Sequence, residues 1–233
     1  MVNNHLKRIA APRSWNIERK GTTFVMKPNP GAHPIEHSMP LSLVMREILK
    51  VARTAKEAKT LIKTKDVFVD KKKRSEERLP VGLMDVIEFP QIEEHYRMLI
   101  DSKGRLMTVK IDAKESGMKL SRIESKTRIK GGKTQLTLSG GRNIIVDKDV
   151  YAVGDSLQLS LPDQKVQEHI KFEKGAFILL VGGKHAGTVA KMEELNKDKI
   201  IIKVKNQKYE TSKRYAFVVG KDKPVFDSLK QLS

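Results

Sequence analysis

The sequence predicts an α+β protein built from several small modules. Hydrophobic residues make up 39% and aromatic residues 5% of the 233-residue chain, a thin supply for one large core. The spacing of apolar residues changes along the chain from helical to strand-like, and glycine-bearing turns separate short apolar runs in the second half. We predict four parts: an extended basic arm (1–40), a helix-helix-hairpin module (41–100), a β-rich domain (101–171), and a small barrel with a C-terminal tail (172–233).

Charge points to the class of partner. The chain has 46 Lys and Arg against 28 Asp and Glu, a formal net charge of +18. The regions 1–37, 46–78, 101–150 and 171–233 are each net positive. A disordered basic tail would gather its charge at one end of the chain, whereas here predicted folded segments share it. The distribution predicts a protein that binds a polyanion through several surfaces.

Composition also excludes several classes. The absence of cysteine rules out disulfides and thiolate metal sites, and the six histidines have no ligand spacing. The longest apolar run, Ala176 to Val181, is too short to span a bilayer, and residues 1–20 lack the apolar core of a signal peptide. We therefore expect a cytoplasmic protein with no metal, no cofactor, no membrane partner and no small-molecule substrate.

Residues 1–40 contain five prolines, which interrupt helices and strand ladders. Apolar residues, including the single tryptophan, alternate with basic ones, a pattern typical of an arm that orders against RNA and the rest of its own chain. A floppy tail is the alternative. The candidate RNA-binding residues of the arm are Lys7, Arg8, Arg13, Trp15, Arg19 and Lys20.

Two helices and a hairpin follow the arm. Apolar residues from Leu41 to Ala52 recur at helical spacing behind Pro40. Thr54 and Glu57 have the spacing of a capping box, which predicts that a second helix starts there. Strand patterns then cover 67–69 and 85–89, and Pro90 ends the second.

This module resembles the small αL-type RNA-binding module of ribosomal proteins, tyrosyl-tRNA synthetases and rRNA pseudouridine synthases. The resemblance lies in Ala52-Arg53-Thr54, Glu57-Ala58, Val67-Phe68-Val69-Asp70 and Pro80-Val81-Gly82-Leu83-Met84-Asp85-Val86-Ile87. It implies that the helices place Arg53, Lys56, Lys59 and Lys63 against an RNA backbone. The hairpin turn of such modules usually carries Asn-Gly or Asp-Gly. This chain has the run Asp70-Lys71-Lys72-Lys73-Arg74 there, which predicts a looser, more electropositive turn; the alternative is only a solvated hairpin tip. That run adds the candidates Lys71, Lys72, Lys73 and Arg74.

The middle of the chain is predicted to be a β barrel or sandwich whose strand order the sequence does not reveal. Strand patterns cover 106–111, 134–138, 143–146 and 156–161, with glycines between them. Further on, Lys174-Gly175, the strand 176–181, Gly182-Gly183-Lys184-His185-Ala186-Gly187 and the strand 188–192 resemble the KOW motif. The resemblance implies an SH3-like barrel, completed by strands over 200–204 and 216–219. A plain hairpin is the alternative.

Within the KOW loop, Gly187 suits a backbone position that needs positive φ or a close approach. Lys184 and His185, with the loop amides, are candidates to meet a phosphate.

Two segments of the chain nearly match enzyme motifs, but each lacks a residue that the motif requires. Gly132-Lys133-Thr134 lacks the earlier glycine of a phosphate-binding loop, and a strand pattern follows it where a helix is required. Gly104-Arg105-Leu106-Met107 resembles the pseudouridine synthase motif, but methionine stands where that family has its nucleophilic aspartate. We predict that the chain is not an enzyme.

Taken in order along the chain, four segments resemble the S-four-e family of small-subunit ribosomal proteins, in its archaeal form. They are the arm from His5 to Trp15, the αL-type module, the segment Leu138-Ser139-Gly140-Gly141-Arg142-Asn143-Ile144 and the KOW-like unit. Departures at Ala32, Lys71 and Ser139-Gly140 affect loops. The resemblance implies a structural constituent that binds the 5′ domain of small-subunit rRNA beside neighbouring ribosomal proteins, and it adds Arg142 to the candidates. The alternative is a KOW-containing transcription or translation regulator that binds nascent RNA.

Overall fold

The structure is a computed structural model that describes residues 5–147, 149–196, 198–204, 207–221 and 223–232. The chain forms two compact units. The first comprises Met1–Leu99 with Arg105–Ser116, and the second comprises Ile100–Gly104 with Gly117–Ser233. The described residues form many short strands and few helices, so the α+β class is confirmed, with strands predominating.

The first unit contains two short sheets, one larger sheet and the helices. Its larger sheet has the order β5-β4-β7-β8-β9, while β1 pairs with β2 and β3 with β6. Its elements, in chain order, are β1 (Leu6–Lys7), a 3₁₀ turn (Arg8–Ala10), β2 (Phe24–Val25), a 3₁₀ turn (Ile35–His37), β3 (Ser38–Pro40), α1 (Leu41–Leu43), a π-helical turn (Val44–Ile48), α2 (Ala55–Thr64), β4 (Phe68–Val69), β5 (Lys72–Lys73), β6 (Pro80–Gly82), β7 (Val86–Phe89), a 3₁₀ turn (Pro90–Ile92), β8 (Glu94–Ile100), β9 (Leu106–Ile111) and α3 (Ala113–Ser116).

The segment over 5–40 packs against the rest of the first unit. Trp15 is 1% exposed, and its indole Nε1 donates hydrogen bonds to the carbonyl oxygens of Ser38 at 2.7 Å and Ile35 at 3.3 Å. The backbone amide of Leu106 donates to the Ser14 carbonyl at 2.7 Å. This segment is therefore ordered against its own chain, which is one of the two partners that the sequence predicts for it; the contact with RNA stays a prediction.

The helix predicted from Leu41 to Ala52 is shorter in the structure. Regular α-helix covers only α1, and the π-helical turn ends at Ile48; the amide of the next residue, Leu49, donates to the Val44 carbonyl at 3.0 Å. Lys50 then adopts a positive φ of 57°, which breaks the helix. The start of α2 was predicted correctly: the Glu57 amide donates to Thr54 Oγ1 at 3.1 Å.

The second unit is formed by two five-stranded antiparallel sheets, with the orders β12-β11-β10-β13-β14 and β18-β17-β16-β15-β19. A cluster of buried residues, Ile123, Leu136, Leu138, Leu157 and Leu159, forms the core of the first sheet. The strands are β10 (Met118–Arg128), β11 (Thr134–Leu138), β12 (Arg142–Val146), β13 (Ser156–Ser160), β14 (Val166–Ile170), β15 (Phe177–Leu180), β16 (Val189–Leu195), β17 (Lys199–Val204), β18 (Gln207–Ser212) and β19 (Ala216–Gly220), with 3₁₀ turns at Lys213–Tyr215 and Asp227–Leu232.

The long strand β10 organises the first of these sheets. Its first half pairs with β13, from Met118 opposite Ser160 to Arg122 opposite Ser156. Its second half pairs with β11 and contains a register shift between Ile123 and Ser125. The strand thus changes partner along its length. The register shift lies where the partner changes, and such a bulge bends a sheet.

Candidate nucleic-acid interface

Helix α2 presents a cationic face to solvent. Ala58 and Ile62 are buried, so the opposite face of the helix is outward, where Lys56, Lys59 and Lys63 are exposed at spacings of three and four residues. Lys59 Nζ also lies 3.3 Å from Glu77 Oε1. Arg53 is exposed just before the helix, and its backbone amide donates to Glu57 Oε2 at 2.8 Å. The three lysines share one face of α2, and Arg53 directly precedes the cap of this helix.

The turn between β4 and β5 is tight, so the prediction of a looser turn was wrong. Asp70 and Lys71 both lie in the left-handed region, with φ of 54° and 61°, the geometry of a two-residue hairpin turn. Lys71 is held inward, with Nζ 2.9 Å from Glu88 Oε1 and 3.0 Å from Ser116 Oγ. These two contacts stabilise Lys71 at a position of the turn where glycine is ordinarily favoured.

The remaining candidates of the hairpin divide by exposure. Lys72 and Lys73 are exposed, and Lys73 Nζ lies 2.5 Å from Asp66 Oδ1 at the surface. Arg74 is half-buried. The exposed basic side chains of the hairpin are therefore Lys72 and Lys73, which belong to the same unit as α2.

The candidate RNA-binding residues of the arm also differ in exposure. Lys7, Arg13 and Lys20 are exposed, but Trp15 and Arg8 are buried, which corrects their prediction as RNA contacts. The Arg8 guanidinium is enclosed by Glu47, Thr22 Oγ1 and the Glu18 carbonyl. Arg19 is half-buried and donates to the carbonyls of Ala11 and Pro12 at 2.6 and 2.7 Å. These two arginines hold the arm itself together.

A carboxylate that sequence reasoning missed organises this region. Glu47 Oε1 accepts hydrogen bonds from Arg8 Nη2 at 2.8 Å and Arg46 Nη2 at 2.9 Å. Burial alone would raise the pKa of Glu47, but the hydrogen bonds from these two arginines outweigh it and hold the pKa below its ordinary value. Glu47 stays ionised and neutralises part of the arginine charge around it.

In the second unit, the loop over 182–187 carries an exposed lysine and one aromatic contact, and the turn Lys213–Tyr215 carries a second aromatic contact. Lys184 is exposed, while the half-buried His185 ring packs on Tyr209 with a centroid separation of 4.2 Å. Arg214 stacks over the Tyr215 ring at 4.7 Å and donates from Nη2 to its hydroxyl at 2.7 Å. Arg214 and Tyr209 were not predicted; their signal in the sequence is an aromatic residue beside lysine or arginine, which also occurs elsewhere by chance.

The prediction for Gly187 was correct on both counts. Its φ is +77°, and a Cβ built there would lie 2.1 Å from the Asp101 carbonyl oxygen. No side chain fits this approach. Arg142, the last candidate, is half-buried on β12, which is an edge strand of its sheet.

The structure places both near-matches to enzyme motifs on or beside strands. Gly131 and Gly132 form the turn between β10 and β11, so a strand follows Lys133, as predicted. Met107 lies on β9. Within the described ranges, no group of three or more His, Cys, Asp or Glu side chains could hold a metal ion. No helix in the part of the chain that the structure describes is long and apolar enough to cross a membrane.

Comparison with known proteins gives concordant matches. The family model described as "Ribosomal family S4e" matches residues 92–166, and the RS4NT (NUC023) domain matches residues 2–36. The small ribosomal subunit protein eS4 of Methanosphaera stadtmanae is 46% identical over 227 residues, covering 95% of this chain and 94% of that protein. The eS4 protein of Methanocaldococcus jannaschii is 45% identical, covering 95% and 96%. The crystal structure of the 30S ribosomal protein S4e from Thermoplasma acidophilum has a TM-score of 0.69 and 30% identity, covering 79% and 95%.

Proposed function

The chain belongs to the ribosomal S4e family, and from that premise we propose that it is a structural constituent of the small ribosomal subunit that binds ribosomal RNA. Its place is therefore the cytoplasmic small subunit, with rRNA and neighbouring ribosomal proteins as partners. The relatives named as small-subunit proteins favour this function over a KOW-containing regulator of transcription or translation. The family resemblance directs the proposal to the 5′ domain of the rRNA.

One observation carries the RNA-binding proposal: Lys56, Lys59 and Lys63 share the solvent-facing side of α2, with Arg53 at its start. Lysine and arginine side chains neutralise RNA phosphates and release counterions. The face has no aromatic or amide groups placed to read base edges, so it suits the backbone of a folded RNA. The exposed Lys72 and Lys73 of the hairpin add two further cations to the same unit.

The finer organisation is also proposed. Residues 41–100 serve as the αL-type module, with the arm before them, and residues 172–233 serve as the KOW barrel after the β-rich domain. The sheet β18-β17-β16-β15-β19 and its loop at Gly187 support the second assignment. Each module offers a modest basic surface, and surfaces on one chain add their affinities through effective concentration. This arrangement needs no catalytic group, and the methionine at position 107 fits that absence.

The experiment measures binding of the full chain to a 5′-domain rRNA fragment across salt concentrations. We expect a steep linear fall of log affinity with log salt, and a slope reduced by about 2 in Lys56→Gln/Lys63→Gln. The charge-matched control is Lys110→Gln/Lys199→Gln, which removes two exposed lysines that pair with Glu94 and Glu210 at 2.8 and 2.9 Å.

A shallow salt dependence of the unchanged chain contradicts the electrostatic mechanism, and equal slopes in the two double variants contradict the role of α2. Sedimentation separates the two functions. A ribosomal constituent travels with small subunits in high-magnesium buffer, whereas a regulator remains in a free or polymerase-bound pool.

A further inference from the structure

An open groove of about 790 Å³ in the first unit lies outside the cationic face of α2, although Arg53 borders both. The strand pair β1–β2 contributes Leu6, Phe24 and Val25 to its lining, and α1 with the π-helical turn after it contributes Leu43, Arg46 and Glu47. The groove therefore has an apolar wall and a charged rim.

The rim is strongly cationic. Beside the buried Arg8, its described residues include four basic side chains, from Lys27, Arg46, Arg53 and Arg78, against one carboxylate, that of Glu47. That carboxylate already accepts hydrogen bonds from Arg8 and Arg46. An anionic ligand is therefore attracted by the remaining positive charge, and planar guanidinium groups suit phosphate oxygens.

The apolar wall carries an exposed aromatic ring. Phe24 is 54% exposed, although a phenylalanine of a soluble domain is ordinarily covered. The His5 ring lies beside it, with centroids 5.5 Å apart and planes tilted by 59°. Lys7 is the Cα partner of Phe24 across the β1–β2 ladder, which places both side chains on the same face of the strand pair. An aromatic face next to cations is the arrangement that proteins use to stack an unpaired base.

We propose that this groove binds an unpaired nucleotide of RNA, with its base stacked on Phe24 and its flanking phosphates held by Arg46, Arg53 and Arg78. The inference rests on the proposed rRNA-binding function and deepens it. A base inside a duplex cannot reach the ring, whereas a base in a loop or bulge can. The groove thus selects an unpaired base beside the helices whose backbones the lysines of α2 contact.

The test uses the full chain with a fluorescently labelled ten-nucleotide oligouridylate and a 12-base-pair RNA duplex. We expect Phe24→Ala to weaken binding of the single strand about 5- to 100-fold, because that is the usual effect of losing one stacked base. Binding of the duplex stays within about twofold. The matched control is Ile92→Ala, since Ile92 is also 54% exposed in the same unit but does not line the groove.

Two further measurements separate stacking from simple charge attraction. Inorganic polyphosphate has the charge but no bases, so Phe24→Ala leaves its affinity unchanged if the ring stacks a base. A 5-bromouridine oligonucleotide crosslinks under ultraviolet light to the peptide that contains Phe24. Unchanged emission of the buried Trp15 shows that each variant is folded.

Several results overturn the inference. The first is that Phe24→Ala and Ile92→Ala lose single-strand binding equally. The second is that Phe24→Ala loses polyphosphate binding as much as it loses single-strand binding. The third is a crosslink confined to peptides other than the one that contains Phe24. If the unchanged chain binds the 5′-domain fragment while Phe24→Ala keeps its full single-strand affinity, the groove inference fails and the proposed function stands. If the unchanged chain does not bind the fragment, the proposed function itself fails.

Discussion

Arg8 and Glu47 form an ion pair between segments 39 residues apart in the chain, with Nη2 2.8 Å from Oε1. The Arg8 side chain is 7% exposed and also donates to the Glu18 carbonyl, so it attaches the arm to the helical turn. Removing one partner of such a pair leaves the other group poorly solvated, which costs more than the pair itself contributes.

We expect Arg8→Ala to lower the free energy of unfolding of the first unit by about 2 kcal/mol. Urea denaturation followed by Trp15 fluorescence measures it. Arg13→Ala is the control, because the exposed Arg13 lies in the same arm, and its replacement changes stability by less than about 0.5 kcal/mol. Equal effects of the two substitutions would contradict a structural role for Arg8.

The same pair makes stability depend on pH on the acid side. The pKa of Glu47 is below its ordinary value, so the folded state binds fewer protons than the unfolded state. The stabilisation is present above the unfolded pKa, near 4.5, and is lost as pH falls through the folded pKa. We expect Glu47→Gln to be more destabilising at pH 6.5 than at pH 3, measured by urea denaturation at both. The same difference at both pH values would argue against the prediction.

Trp15 is the single tryptophan and reports on the arm. Because it is buried and hydrogen-bonded to Ser38, we expect blue-shifted emission, weak quenching by iodide, and no change when the 5′-domain rRNA fragment binds. Free tryptophan amide in the same buffer is the control for quenching. Strong quenching on RNA addition would place the indole in contact with RNA and refute its structural role.

Thr54 caps α2 by accepting the hydrogen bond from the Glu57 amide. We expect Thr54→Ala to destabilise the first unit by about 1 kcal/mol, since it leaves an N-terminal amide without its partner. Thr60→Ala is the matched control. Thr60 lies inside the helix, where its hydroxyl donates to the Lys56 carbonyl at 3.0 Å, and its replacement by the better helix former is neutral or slightly stabilising. Thermal unfolding followed by circular dichroism distinguishes them.

Substitutions at Gly187 and Gly131 distinguish the cost of backbone strain from the cost of steric conflict. Both have positive φ, +77° and +84°, but a Cβ at Gly131 meets nothing within 4 Å, whereas one at Gly187 meets the Asp101 carbonyl. We expect Gly131→Ala to cost about 1 kcal/mol and Gly187→Ala about 3 kcal/mol or more, measured by chemical denaturation of the second unit. Equal losses would show that the close approach relaxes without cost.

Local patterns were predictable from sequence because their causes are local. The Thr54–Glu57 spacing located the start of α2, and alternation in Thr134–Leu138 located β11. Strand β10 was missed because its two core residues, Leu120 and Ile123, stand three apart, and the register shift after Ile123 breaks alternation. An antiparallel strand with a bulge does not have the period that identifies strands.

The candidate site was harder to predict than the fold. Arg8 and Arg13 have the same side chain in the same basic arm, yet Arg8 is buried and Arg13 is exposed. The difference depends on Glu47, a carboxylate far along the chain, which no local pattern links to the arm. Lys71 is another example, since its contact with Glu88 exists only once β7 lies beside β4. Residue type predicted the partner class, while tertiary contacts decide which residues remain available.

The sheet β18-β17-β16-β15-β19 has a consequence for how the chain acquires its fold during synthesis. Strands β15 to β18 pair with their neighbours in the order in which they are made, but the outer side of β15 pairs with β19, the last strand among the described residues. Until β19 emerges, the nascent chain carries an apolar strand, Phe177–Leu180, with one open edge. Open apolar edges promote association with other chains, so premature termination before Ala216 yields an aggregation-prone product rather than a shorter functional one.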